Sequence, residues 1–172
     1  PSQEPAPAVQ RAAFVPQSVD LAPEDFPLVN QGRIFTPFWK EAIVAKPAAR
    51  GGANWPPSSY DPTTNYFYVC ATDAANLFKG GEDDQKITPE GERYLGSAFG
   101  GAPIPGFGIF AALDMKTNRL VWQQRWKDSC YSGSVTTAGG LVFTGRNDGR
   151  LTALNSATGK RLWEFQTGAG LN

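Results

Sequence analysis

The segment GGANW places an asparagine and a tryptophan side by side after two glycines, at positions 51–55. The Asn54 amide can donate and accept hydrogen bonds, and the Trp55 indole offers one N–H donor and a flat aromatic face. Gly51 and Gly52 allow the backbone to approach another group closely. These residue types suit a contact with a flat ligand. From the residues alone, a structural role is favoured, with Trp55 packed between sheets and Asn54 capping a turn.

Several other chemistries are excluded or disfavoured by the residue types present. The chain contains no histidine, so it holds no Ser-His-Asp triad, no histidine-ligated zinc and no CxxCH haem attachment. Cys70 and Cys130 lie far apart in the sequence and form no CxxC motif. We expect two buried thiols there, with a disulfide as the alternative, because sequence cannot show their proximity.

Acidic residues give no metal motif in this sequence. The run Glu82, Asp83, Asp84 lacks the spacing of an EF-hand loop, so a solvated loop is expected. Asp114 and Asp148 fall in predicted turns, where a carboxylate accepts backbone N–H bonds.

Composition favours many short strands joined by tight turns. Glycine (19) and proline (14) are abundant, and aromatic residues make up 12% of the chain. Lysine plus arginine equals aspartate plus glutamate, 16 against 16, which gives no electrostatic reason to expect nucleic acid as a partner. No apolar run approaches the roughly 18–20 residues that cross a bilayer, and we expect no signal peptide at the first residues.

The chain divides into three kinds of segment. Residues 1–30 are proline-rich and are predicted to be extended. Strands are predicted near Ser58–Tyr60 and Tyr66–Ala71, on either side of the turn DPTTN. Within the domain predicted over residues 31–172, a glycine-rich and charged stretch near 79–106 is predicted to be a loop insertion.

An internal repeat organises the second half of the chain. ALDMKTNRLVW, beginning at Ala112, aligns with ALNSATGKRLW, beginning at Ala153, at an offset of 41 residues. This period is typical of four-stranded propeller blades. We expect Asn118 and Gly159 to adopt positive φ in the turns. Trp122 and Trp163, which close the two copies, should pack between neighbouring sheets and donate their N–H to a backbone carbonyl.

These residues resemble the quinoprotein alcohol dehydrogenase family, which uses pyrroloquinoline quinone (PQQ). Residues 153–163 are similar to its tryptophan-docking repeat AxDxxTGKxxW, with Asn155 in place of Asp, and residues 112–122 match more loosely, with Asn118 in place of Gly. GGANWPPSSYDPTTNYFYV (51–69), SGSVTTAGGLVFTGRNDG (132–149) and GRIFTP (32–37) resemble further segments of the family.

The resemblance implies an all-β fold, with about three four-stranded blades from the C-terminal half of an eight-bladed propeller. The remainder of the ring would come from the parent protein or another chain. It implies a periplasmic dehydrogenase that oxidises alcohols or sugars by hydride transfer to a calcium-bound quinone. A cytochrome or quinone would then accept the electrons.

The resemblance also implies which residues meet the cofactor. Asn54 and Trp55 would lie beside PQQ, whereas the calcium ligands and the general-base aspartate would come from outside this chain. The chain is therefore expected to hold no catalytic or metal-binding residue and to be inactive alone. Tyr131 and Ser132 precede TAGGLVF, near an aromatic residue that reaches the cofactor in some members, but a loop and strand start is favoured for them.

Two other functions are compatible with the repeats. A non-catalytic propeller that serves as a scaffold for protein binding is the main alternative, because a fold does not determine a function. The segment GGANWPPSSY argues against it, since plain scaffold repeats have no need of that sequence. A sugar-binding propeller that uses a surface tryptophan such as Trp39 is a weaker alternative, which nothing in the spacing supports.

Overall fold

The computed structural model describes residues 42–80, 89–92 and 97–172, and these residues form strands and turns without a helix. Residues 1–30, Trp39 and the acidic run at 82–84 lie outside the described residues. The strands are β1 (Ile43–Ala45), β2 (Ser59–Asp61), β3 (Tyr66–Asp73), β4 (Asn76–Gly80), β5 (Ser97–Gly101), β6 (Phe107–Asp114), β7 (Arg119–Trp126), β8 (Ser134–Thr136), β9 (Leu141–Gly145), β10 (Arg150–Asn155) and β11 (Arg161–Gln166). The described part of the chain therefore contains no helix long and apolar enough to span a membrane.

A smaller compact unit contains a three-stranded antiparallel sheet in the order β1-β4-β5. Asn76, at the start of β4, ties this unit together: its Oδ1 accepts the N–H of Ala49 at 2.7 Å, and its Nδ2 donates to the carbonyl of Gly100 at 2.6 Å. Strand β5 lies inside the stretch 79–106, for which the sequence predicts a loop.

A larger compact unit, which covers residues 50–74 and 105–172, contains two four-stranded antiparallel sheets. The first has the order β2-β3-β6-β7 and the second the order β8-β9-β10-β11. These two sheets have the four strands expected of a blade, whereas the sheet of the smaller unit has three strands among the described residues. The predicted hairpin around DPTTN is present, since β2 pairs with β3 across that turn.

The core of the larger unit is aromatic and aliphatic. Phe110 is fully buried, and its ring stacks on Trp126 at 6.2 Å between centroids and 13° between planes. Burying a side chain of this size stabilises the fold by about 1.5–3 kcal/mol. The buried cluster comprises Tyr68, Phe110, Ala112, Trp126, Cys130, Val142 and Leu154. Because both four-stranded sheets contribute to this cluster, they share one core.

The sequence repeat is also a structural repeat. Ala112 pairs with Trp122, and Ala153 pairs with Trp163, and in both copies the register shifts immediately after the alanine. Asn118 has φ 55° and Gly159 has φ 70°, as predicted. The preceding turns match as well: the Oδ1 atoms of Asp114 and Asn155 accept N–H groups from the second and third residues after them.

Trp122 packs between the two sheets, as predicted. Its Nε1 donates to the carbonyl of Ser156 at 2.9 Å, and the hydroxyl of the buried Tyr68 donates to the same carbonyl at 3.0 Å. The indole lies over Gly159, where a Cβ would come within 2.6 Å of its ring atoms. Glycine at position 159 thus serves two purposes, because it permits a positive φ and leaves room for the indole.

Trp163 does not share this environment. Its side chain is 48% exposed and stacks on Phe165, with 6.1 Å between centroids and 5° between planes. It lies on β11, the edge strand of its sheet, and no described residue covers it as the Ser156 turn covers Trp122. The expectation of packing between sheets is therefore confirmed for Trp122 but not for Trp163.

Cys70 and Cys130 form a disulfide, with 5.3 Å between their Cα atoms. The expectation of two separate thiols was wrong. The reason is topological: β3 pairs with β6, and β6 pairs with β7, so the chain that follows β7 returns to β3. It crosses directly over Gly108, where a Cβ would collide with the carbonyl oxygen of Asp128. The spacing of Cys70 and Cys130 in the sequence does not reveal that the chain after β7 comes back to β3.

Candidate functional site

The GGANW segment is a loop that is anchored along β3. The carbonyl of Gly52 accepts the N–H of Thr72 at 2.6 Å, and Ala53 forms an isolated antiparallel bridge with Ala71. Gly51 has φ 77°, a conformation that strains any residue with a Cβ. The loop is therefore held by backbone contacts while its last two side chains remain accessible.

Asn54 organises its own loop. Its Nδ2 donates to the carbonyl of Arg50 at 2.7 Å, and its Oδ1 accepts the N–H of Trp55 at 2.8 Å. These are the capping bonds that the residues alone predicted. An amide nitrogen carries two hydrogens, so the bond to Arg50 uses one of them and leaves a second for another acceptor.

Trp55 projects from the loop and is 66% exposed. Its ring meets that of Tyr131 edge to face, with 5.8 Å between centroids and 85° between planes. Aromatic pairs favour this arrangement because the positive edge of one ring lies against the negative face of the other. The two rings come from segments far apart in the sequence and together form an aromatic pair at the surface of the larger unit.

Beside this pair lies a shallow cleft. It is lined by Arg50, Gly51, Gly52, Asn54, Pro56, Cys70, Thr72, Cys130 and Tyr131. Its volume is about 10 Å³, far below the roughly 300–1,000 Å³ of pockets that enclose small molecules. The described residues therefore do not enclose a small molecule by themselves.

Two described groups have shifted pKa values, and neither lines the cleft. Burial raises the pKa of the Tyr68 hydroxyl, and its hydrogen bonds to Thr64 and Ser156 only partly offset this. Burial also acts to raise the pKa of Asp61, but hydrogen bonds from the backbone and hydroxyls of Thr63 and Thr64 outweigh it and leave the pKa lowered. Both groups support the fold.

The structure brings Asn54, Trp55 and Tyr131 together. Sequence reasoning did not assign Tyr131 to the site, although its position just before TAGGLVF was a usable signal. Ser132 is nearly buried and serves the fold, since its hydroxyl accepts the N–H of Gly145 at 3.1 Å. Asp148 caps its turn by accepting the N–H of Arg150 at 3.2 Å.

Comparison with known proteins identifies the family. The family model described as PQQ: Glucose/ethanol/alcohol dehydrogenase, beta-propeller domain, matches residues 3–172. The chain belongs to this family. Its strands are part of a β-propeller, and the two four-stranded sheets by themselves do not close a ring.

Relatives of this PQQ-family chain include dehydrogenases named for a quinone. It is 38% identical over 134 residues to 1-butanol dehydrogenase (quinone) of Thauera butanivorans, covering 76% of this chain and 21% of that protein. It is 34% identical to the quinoprotein ethanol dehydrogenase of Pseudomonas aeruginosa, with the same coverage. A lanthanide-dependent methanol dehydrogenase of Methylorubrum extorquens is 32% identical over 129 residues, which are 73% of this chain and 21% of that protein.

Solved structures that superpose on this chain are alcohol and methanol dehydrogenases. A quinohemoprotein alcohol dehydrogenase of Pseudomonas putida superposes with a TM-score of 0.70 at 28% identity, covering 76% of this chain and 21% of that one. A europium-containing methanol dehydrogenase superposes with a TM-score of 0.67 at 29% identity, covering 76% and 23%. The chain therefore spans about a fifth of the length of its relatives and is a fragment of such a protein.

Proposed function

We propose that this chain is part of a PQQ-dependent dehydrogenase that oxidises alcohols or sugars, and that Asn54 and Trp55 contact the cofactor. The observation that carries the proposal is the exposed Trp55–Tyr131 pair, held beside the Asn54 amide in a chain of the PQQ family. Trp55 is 66% exposed, so its ring is accessible to a ligand in the described part of the chain.

The chemistry of these groups fits PQQ, which is a flat tricycle with three carboxylates. An exposed indole offers a plane or an N–H to such a ring system. The second amide hydrogen of Asn54 can be donated to a carboxylate or quinone oxygen. Arg50 lines the same cleft, and a guanidinium can pair with a carboxylate in a charge-assisted hydrogen bond.

When bound, PQQ would supply the acceptor for a hydride from the substrate carbinol, with a metal ion such as calcium as a Lewis acid. The residues of this chain hold and orient that cofactor at one wall. Among the described residues, no group of three metal-ligating side chains lies together. As the family resemblance implies, we propose that the metal ligands and the proton-accepting aspartate belong to the rest of the parent protein and that this chain alone is inactive.

The first partner proposed is the remainder of the propeller. Leu162, Trp163 and Phe165 give β11 an exposed apolar face, and Trp122 shows how a tryptophan at this repeat position is covered by the next sheet. A further sheet would bury Trp163 in the same way. We place the parent protein in the periplasm, with a cytochrome or a quinone as electron acceptor.

The proposal is tested on the parent protein, prepared without cofactor and then titrated with PQQ and calcium. Asn54→Ala should raise the PQQ Kd about tenfold, since a hydrogen bond to a charged group contributes roughly 1.5 kcal/mol or more. Dye-linked oxidation of alcohols at limiting PQQ should fall in parallel.

Asn76→Ala is the matched control, because Asn76 also makes two backbone hydrogen bonds through its amide but lies in the other unit. It should leave the PQQ Kd unchanged. Equal affinity of the Asn54→Ala variant and the wild type would remove Asn54 from the site. A wild-type parent that binds no PQQ at all would favour the scaffold function instead.

A further inference from the structure

Three consecutive residues of β3 hold both halves of the Trp55–Tyr131 pair. On one side, Ala71 and Thr72 fix the GGANW loop through the bridge to Ala53 and the hydrogen bond to Gly52. On the other side, Cys70 is bonded to Cys130, the residue immediately before Tyr131. The stretch Cys70–Thr72 is thus the common support of two loops that otherwise belong to distant parts of the sequence.

Polar contacts around the disulfide fix the same loop. The Thr72 hydroxyl donates to the carbonyl of Cys130 at 3.2 Å, and the N–H of Ser132 donates to the Sγ of Cys70 at 3.3 Å. These bonds flank Tyr131 on both sides in the sequence. Cys130 is 2% exposed and Cys70 is partly buried, and both cysteines line the cleft beside the aromatic pair.

We propose that the Cys70–Cys130 disulfide is a positioning element that sets Tyr131 against Trp55 for binding of the flat cofactor. This inference rests on the proposed function. Without the link, hydrogen bonds such as those above and the one from Gly145 to the Ser132 hydroxyl still hold the backbone near Tyr131. No covalent bond then fixes this segment to β3, and the aromatic pair must be ordered when the ligand binds. Ordering a side chain on binding lowers affinity, whereas a pre-formed pair avoids that loss.

The test compares two variants of the parent protein prepared without cofactor. In Cys70→Ser/Cys130→Ala the disulfide is absent, while a hydroxyl at position 70 can still accept the N–H of Ser132. The control, Leu154→Ala, destabilises the shared core from β10, where Leu154 is 1% exposed and lines no part of the cleft. The near-UV circular dichroism spectrum is recorded for each protein with and without the additional substitution Trp55→Phe. The difference between the two spectra is the signal of Trp55, which is strong only when the aromatic pair is fixed.

We expect the cysteine variant to lose most of the Trp55-dependent signal and to bind PQQ with a Kd raised roughly threefold to tenfold. At a temperature where the Leu154→Ala variant is folded, its Trp55-dependent signal and its Kd for PQQ should both equal those of the wild type. A cysteine variant with the wild-type signal and Kd would overturn the proposal, as would an equal loss in the control. If the wild type binds no PQQ, the proposed function fails, while the Trp55 signal still decides whether the disulfide fixes the pair.

Discussion

Gly159→Ala tests the central packing arrangement, in which a turn of one sheet receives the indole of the preceding sheet. An alanine there would carry its Cβ at φ 70° and within 2.6 Å of the Trp122 ring. The left-handed backbone costs about 1–2 kcal/mol, and forcing a methyl group into a packed site costs about 1–3 kcal/mol more. We therefore expect the free energy of unfolding to fall by about 2–5 kcal/mol.

The repeat provides a matched control at the equivalent turn. Asn118 has φ 55° and already carries a Cβ, so Asn118→Ala changes the side chain without adding an atom beside a ring. It should cost about 1 kcal/mol or less. Urea unfolding followed by far-UV circular dichroism measures both variants under identical conditions.

A double-mutant cycle isolates the contact with the indole. In a Trp122→Leu background the ring is gone, so the extra cost of Gly159→Ala should shrink by about 1–3 kcal/mol, the size of coupling between residues in contact. Equal costs for Gly159→Ala and Asn118→Ala, or no relief in the Trp122→Leu background, would refute the role assigned to Gly159.

Two further predictions concern pH. Because hydrogen bonds lower the pKa of Asp61 in the folded state, its carboxylate stabilises the fold above the ordinary value of about 4, and that contribution disappears as the pH falls through the lower folded pKa. The Asp61→Asn variant should therefore be less stable than the wild type near neutral pH, and its free energy of unfolding in urea should fall less steeply as the pH is lowered. An equally steep fall in both proteins would contradict this. Burial raises the pKa of Tyr68, so the folded protein holds this proton where the unfolded chain has lost it, and stability should fall as the pH rises above about 10. Tyr68→Phe should remove this loss of stability at alkaline pH, and it should cost about 1 kcal/mol at neutral pH because the hydrogen bond to Ser156 is lost. The same decrease in the free energy of unfolding with rising pH in both proteins would contradict this prediction.

Features that depend on residues adjacent in the sequence, or on the sequence repeat, were predictable from the sequence. Alternating side chains and turn residues predicted the strands on both sides of DPTTN. The repeat predicted the positive φ of Asn118 and Gly159 and the docking of Trp122. These succeeded because the φ of a turn and the side-chain alternation of a strand are set locally, and a repeated sequence imposes a repeated geometry.

Tertiary structure decided which distant residues meet. It joined Cys70 to Cys130 and set Tyr131 against Trp55, because the pairing of β3, β6 and β7 returns the chain to β3. It also separated Trp163 from Trp122, two residues that the repeat makes equivalent, since burial depends on the next sheet rather than on the side chain itself. Sequence thus determined the repeating unit and its turns, whereas the contacts between units, and with them one wall of the candidate site, were determined by long-range strand pairing.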